Sequence, residues 1–260
     1  MNYQVYTPCA QLQPYVRHLI ISETAHEQTY KILPDTSVVI GIQYRGRLAY
    51  HGNNTLIPLA TSGITGLMDS FRIFSNSRHI GTVLIVFTET GAASFFREPL
   101  HELFRQSVSL DHFITASTLQ RLEEQLAEAP TDQQRIAITE RFLLSHLHNT
   151  PTDRLVRAAI DIIHQTNGTI RMKELAHHLC ISQSPLEKRF RQVVGASPKK
   201  FATLVRIKHT LKSLALGSNL TDIGFEAGYF DQAHFNKEFK AFTGLAPLEF
   251  LKENRVKRPI

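Results

Sequence analysis

The 260-residue chain predicts an α+β protein in two parts, and three features carry that prediction. Residues 1 to about 110 hold many short β-branched runs bounded by turn formers, the mark of a barrel or a double-layered sheet. From about residue 117 the apolar period becomes helical. Near the C-terminus a block repeats at an offset of 49: Lys188-Arg189-Phe190-Arg191 returns as Lys237-Glu238-Phe239-Lys240, Gly195 as Gly244, Pro198 as Pro247 and Phe201 as Phe250. One residue out of register, Glu174-Leu175-Ala176 is matched by Asp222-Ile223-Gly224. Each copy reads as helix, tight turn, helix, which makes the C-terminal half an all-α tandem helix-turn-helix unit.

In order along the chain, Leu19-Ile20-Ile21, Ser37 to Ile42 and Gly81 to Phe87 are strand candidates. Gly46 marks a hairpin and Gly52-Asn53-Asn54 a second turn. Gly91 to Phe96 reads as a short helix, followed by Pro99 to Leu103. In the helical segment 117–148, Leu119, Leu122 and Leu126 share one face. After Pro130, Thr131 and Gln134 have capping-box spacing ahead of a stripe of Ile136, Leu143 and Leu147. These stripes predict a weak or ligand-tuned homodimer, with packing inside the monomer as the alternative. Asn149-Thr150-Pro151-Thr152 is the expected boundary between residues 1–150 and 153–260.

Beyond that boundary, Leu155, Val156, Ala159, Ile160 and Ile163 form a buried stripe, closed by Asn167-Gly168. The first motif spans about 172–194, with a helix over Met172–Leu179, a turn at Cys180-Ile181 and Ser182 as N-cap ahead of Pro185. A long helix from Ser197 to Leu216 joins it to the second motif, about 220–243. There Asn219 caps the first helix, Tyr229-Phe230 turns the chain, and Asp231 caps the second.

Charge is divided unevenly. Residues 1–152 carry 11 Lys and Arg against 13 Asp and Glu, net −2; residues 153–260 carry 18 against 10, net +8. The positive half coincides with the repeat, where a polyanionic partner needs it. No apolar run approaches the roughly 20 residues of a membrane span, so no membrane partner is expected. The N-terminus lacks the pattern of a signal peptide, and Cys9 and Cys180 are too few and too far apart for a disulfide framework. A cytoplasmic location follows as an expectation.

The stretch Asp222–Phe250 resembles the AraC/XylS family of bacterial transcription regulators. It does so through Asp222-Ile223-Gly224, Ala227-Gly228-Tyr229, Asp231-Gln232-Ala233-His234-Phe235, Phe239-Lys240, Gly244 and Pro247. Val205-Arg206-Ile207-Lys208 through Leu214 is similar to the family's joining helix. Gly224, Tyr229, Ala233 and Ala246 depart mildly from the family pattern. Weaker likeness to the sensing domains of one branch lies in Leu12 to Val16, Leu33-Pro34-Asp35 and Gly91 to Leu100. The resemblance implies a cupin-like β-barrel with a helical dimerisation segment, ahead of the DNA-binding domain. It implies a sequence-specific, ligand-responsive transcription regulator, with RNA polymerase as a further partner if the chain is an activator.

Residues sharing the outward face of a recognition helix are the DNA-binding candidates. In the first motif these are Ser184, Glu187, Lys188 and Arg191; in the second, Gln232, Ala233, Asn236, Lys237 and Lys240, with His234 a phosphate donor or a packing residue near the cap. Gln and Asn suit adenine, Glu accepts from cytosine, and Lys suits guanine or phosphate. Two such helices would occupy successive major grooves of duplex DNA. Arg206 faces either DNA or a salt bridge within its own subdomain. For the sensor, an apolar or amphipathic small molecule is expected inside the barrel, with Arg72 either a partner for an anionic ligand group or a member of a surface salt bridge.

The chain holds thirteen histidines but no His-Glu-x-x-His, and the β-rich half lacks a cupin metal motif. No metal, cofactor or catalytic residue is expected. An enzymatic N-terminal half, such as one for DNA alkyl repair, is the alternative; it would need an activated cysteine. A barrel serving only as a dimer scaffold is another.

Overall fold

A computed structural model describes residues 2–52, 55–148, 152–215 and 231–255. Ten strands form the N-terminal part: β1 (Asn2–Tyr6), β2 (Val16–Thr24), β3 (Gln28–Ile32), β4 (Val39–Arg45), β5 (Leu48–His51), β6 (Leu56–Pro58), β7 (Ser62–Thr65), β8 (Arg72–Asn76), β9 (Ile80–Phe87) and β10 (Ser107–Ser109). The three strand candidates lie in β2, β4 and β9.

These strands do not close into a cupin-like barrel. They form two sheets, one of order β1-β2-β9-β4-β7-β10 and one of order β3-β8-β5-β6. A barrel requires every strand to be paired on both sides, whereas among the described residues no ladder joins β10 to β1 or one sheet to the other. The edges β6 and β10 are three residues each, and β1 leaves Tyr3 and Val5 about half exposed. Period-two alternation buries one strand face in a barrel and in a two-sheet stack alike, so the pattern could not separate them.

The chain passes from the first sheet to the second at β2–β3, β4–β5 and β7–β8, and the β4–β5 corner is the tightest in sequence. Gly46 takes φ +74°, and a Cβ there would meet Ile80 Cα at 2.8 Å. Gln43, buried at this corner, donates to Ala60 O at 2.6 Å and accepts from Leu48 N at 2.6 Å. Arg72 bridges the sheets from β8, donating to Ser107 Oγ at 2.7 Å and to Arg105 O at 2.6 Å, its guanidinium 4.6 Å over the Tyr50 ring. Two of its guanidinium nitrogens thus bond within the fold.

Two helices follow, α1 (Ala116–Glu128) and α2 (Asp132–His146), with Gln134 N donating to Thr131 Oγ1 at 3.3 Å in a complete capping box. Leu119, Leu122, Leu126, Ile136 and Leu143 are all buried, in the same cluster as Ile40 and Ile42 of β4. The stripes expected at a dimer interface therefore pack inside the chain. Gly91–Ser94 and Leu100–Leu103 form single 3-10 turns.

The rest is helical among the described residues: α3 (Arg154–Gln165), α4 (Met172–His178), α5 (Gln183–Val194), α6 (Pro198–Ala215), α7 (Gln232–Thr243) and α8 (Pro247–Arg255). The expected first helix of the second motif, Asn219 and Tyr229-Phe230 lie outside the described residues, as do Asn53-Asn54 and Asn149-Thr150-Pro151. One apolar cluster runs from Leu19 and Ile85 through Leu122 to Leu175, Leu186, Phe190 and Val205. The two halves thus share a core across the 149–152 boundary.

Candidate nucleic-acid interface

The repeat is a structural repeat. Helices α5 and α7 both end on a left-handed glycine, Gly195 (φ +92°) and Gly244 (φ +82°), whose N–H groups donate to Arg191 O and Lys240 O. Only glycine takes this conformation without a Cβ penalty. Each is followed by a helix opening on proline, where the missing N–H costs no hydrogen bond. Phe201 then packs edge-on against Phe190 at 5.5 Å, and Phe250 against Phe239 at 5.4 Å.

The start of each helix is set locally. Asp231 accepts from His234 N at 2.7 Å, the expected cap. Ser182 occupies the N-cap position of α5, but its side chain makes no capping bond. The turn before it is made by the backbone: Cys180 takes φ +51°, and the N–H groups of Cys180 and Ile181 donate to His177 O and Ala176 O.

With Leu186, Phe190 and Val194 buried, the opposite face of α5 carries Ser184, Glu187, Lys188 and Arg191, all exposed. Phe235, Phe239 and Phe242 are buried in α7, leaving Gln232, Ala233, Asn236, Lys237 and Lys240 exposed. Arg191 pairs with Glu187 at 3.1 Å, so this part of the α5 face is nearly neutral. Arg189 turns away from it and forms two bonds to Asp153, the N-cap of α3, at 2.8 and 2.9 Å. Burial would raise the Asp153 carboxyl, but these bonds from Arg189 and the backbone N–H groups hold it below the usual range.

His234 and Arg206 belong to one polar cluster. Arg206 on α6 donates to Glu238 of α7 at 2.7 Å, and His234 lies 3.4 Å from the same carboxylate. Of the two roles open to Arg206, the structure shows the ion pair.

The N-terminal half also grips the helices. Lys200 of α6 pairs with Asp69 at 2.8 Å, and Asp69 also receives two bonds from Arg105 at 2.6 Å. Lys208 pairs with Asp35. Lys31 donates to Thr243 O, at the C-terminal end of α7, at 3.0 Å, where a cation suits the helix dipole. Glu89 holds both Arg17 and His164 of α3. Burial would raise its carboxyl, yet the hydrogen bond from His164 and the Arg17 guanidinium bring it down to about 2. No local pattern in the sequence signals these contacts, whose partners lie 36 to 212 residues apart.

The centre of the first sheet is filled by side chains. Ile40, Ile42, Val83, Ile85 and Phe87 are at most 1% exposed and pack into the common cluster. Two clefts border the helical half. One, of about 690 Å³, lies between α5 and α7; the other, of about 240 Å³, lies between Asp69, Arg105 and the α6–α7 pair. Among the described residues no three His, Cys, Asp or Glu gather as metal ligands, and no helix is long and apolar enough to cross a membrane.

Residues 175–253 match a family described as a helix-turn-helix domain, and residues 4–109 match a domain of unknown function, DUF6597. The chain is 31% identical over 156 residues to the Msm operon regulatory protein of Streptococcus mutans, covering 58% of this chain and 56% of that one. It is 30% identical over 174 residues to the arabinose operon regulatory protein of Salmonella typhimurium, covering 64% and 58%. The chain spans about half the length of the curated relatives it matches. A structure of ToxT from Vibrio cholerae aligns over 97% of this chain and 98% of that one at 12% identity and a TM-score of 0.46, too loose a likeness to bear on function. The duplicated helix–glycine–helix frame, the exposed polar faces it presents and the curated relatives converge, and residues 175–253 form a helix-turn-helix domain of the AraC/XylS type.

Proposed function

We propose that the chain is a sequence-specific, DNA-binding transcription regulator. Residues 153–260 bind duplex DNA and residues 1–150 sense a small molecule. The observation that carries the reading is the pair α5 and α7: two helices in the same capped frame, each exposing polar and basic side chains, in the half with net charge +8. The readers in this proposal are Ser184, Glu187, Lys188 and Arg191 on α5, and Gln232, Ala233, His234, Asn236, Lys237 and Lys240 on α7. The relatives named as operon regulatory proteins support the same reading. Self-association and contact with RNA polymerase are finer parts of the proposal. The buried stripes of α1 and α2 lend a dimer no support.

The full-length chain should bind duplexes selected from a random pool, with affinity falling steeply as salt rises, because each phosphate contact releases counterions. Lys188→Ala and Lys237→Ala should each weaken binding by about 1–3 kcal/mol where they reach a base. The footprint should cover two major grooves with centres about 34 Å apart. Unchanged affinity in the double variant would remove these helices from the interface.

An enzymatic N-terminal half has little to build on. Cys180 is exposed in the inter-helix turn, and Cys9 lies beside Glu140, whose Oε1 accepts from the Cys9 backbone N–H at 2.7 Å.

A further inference from the structure

We propose, on the footing of the DNA-binding reading above, that the cleft between α5 and α7 seats the sugar–phosphate backbone separating the two major grooves, with Arg171 and Lys199 as its cationic contacts. The cleft, about 690 Å³, is bordered by Gln183 and Glu187 of α5 on one side and by His234 and Glu238 of α7 on the other. One candidate reader of each helix, Glu187 and His234, thus borders the same concavity, and a duplex bound by both crosses it. Between successive major grooves on one face of B-DNA runs the minor groove, about 6 Å wide and flanked by ridges of phosphate. A convex anionic ridge is what this concavity would meet.

The charges along the cleft suit a phosphate ridge. Its two carboxylates are offset, Glu187 by Arg191 and Glu238 by Arg206. Arg171 and Lys199 also line it; both are exposed, and neither enters an ion pair with a described residue. The adjacent residue makes the contrast: Lys200 turns to the other side of α6 and is held by Asp69. Arg171 precedes α4 and Lys199 opens α6. Neither stands on a recognition helix, so each meets phosphates rather than base edges and contributes affinity without sequence preference.

The test measures affinity of the full-length protein against salt, on a duplex selected from a random pool and on its scrambled counterpart. Arg171→Ala and Lys199→Ala should each lower the slope of log affinity against log salt by about one, with equal fold losses on both duplexes. Lys199→Arg should restore the slope. On a duplex whose phosphates between the two contacted grooves are replaced by neutral methylphosphonates, the wild type should weaken and Lys199→Ala should weaken no further. Unchanged slopes, alongside losses in Lys188→Ala and Lys237→Ala, would overturn the backbone seat and leave DNA binding intact. A loss confined to the selected duplex would overturn it too, since that marks a base contact. If the wild type binds neither duplex, the DNA-binding reading itself falls.

Discussion

In the first helix-turn-helix unit, Leu175, Leu186, Phe190 and Val194 belong to the apolar cluster that runs on into the sheets. In the second, Phe235 and Phe239 close on Leu214, Leu211, Phe250 and Leu251 in a separate small cluster. Phe242 is the exception, reaching from α7 into the larger cluster. Among the described residues, what otherwise joins the second unit to the rest is mainly polar, Glu238 to Arg206 and Lys31 to Thr243 O, beside Leu211, which packs on both clusters, and Phe71, whose ring would stand 2.7 Å from a Cβ on Gly244. The first unit is also backed by the N-terminal half, since a Cβ on Gly195 would stand 3.0 Å from Leu100 O. The same frame thus rests on two kinds of anchor. Burial of apolar area contributes about 25 cal/mol per Å² and is non-directional, whereas partly exposed ion pairs contribute about 0–1 kcal/mol and depend on geometry. Among the described residues the second unit has the smaller apolar anchor, and its orientation is expected to cost less to change. A ligand that binds two conformations unequally would shift its position first.

The sharpest test of that difference pairs Phe190→Ala with Phe239→Ala. Both delete a ring that is fully buried, at a local cost of about 3–5 kcal/mol. Phe190→Ala should lower amide hydrogen-exchange protection in β9 and α5 together, because they share one core. Phe239→Ala should lower it in α7 and α8 and spare β9. Equal loss in β9 from both variants would mean that the two units are one cooperative body.

A pH series probes the anchoring of α3, the helix on which the first unit is built. Glu89 is 17% exposed in its side chain and has a carboxyl held at about 2, below its ordinary value of 4.5. A carboxylate depressed on folding contributes stability that is fully present above its unfolded pKa and lost as pH falls through the folded one. Stability measured by denaturant titration should therefore drop between about pH 4.5 and 2, and Glu89→Gln should flatten that drop. An unaltered acid profile in Glu89→Gln would show that the Arg17–Glu89–His164 cluster does not couple the halves.

The smallest effect belongs to the outermost contact. Lys208 and Asp35 are 39% and 50% exposed in their side chains, so Asp35→Asn should cost at most about 1 kcal/mol in thermal or chemical unfolding, shrinking further at high salt. A larger loss would place this pair among the principal anchors and weaken the contrast between the units.

The parts of this fold that were legible in the sequence depend on neighbours a few residues apart. The glycine ends of α5 and α7, the Asp231 cap and the Thr131–Gln134 box follow from φ limits and the 3.6-residue period. So do the buried rings of Phe190, Phe201 and Phe239, the half-buried Phe250, and the polar faces opposite them, which define the candidate interface. Ser182 shows the limit of local reading even here: the cap position is right, but the side chain does not bond there.

The remainder turns on partners far apart in the chain. Whether β1 meets β10, whether Arg72 faces a ligand or Ser107, whether the α1 and α2 stripes meet a second copy or β4, and whether Arg206 meets DNA or Glu238 cannot be read from periodicity. An amphipathic face states that it will be buried, not against what. A charged side chain states that it needs a partner, and the fold chooses which one lies within reach.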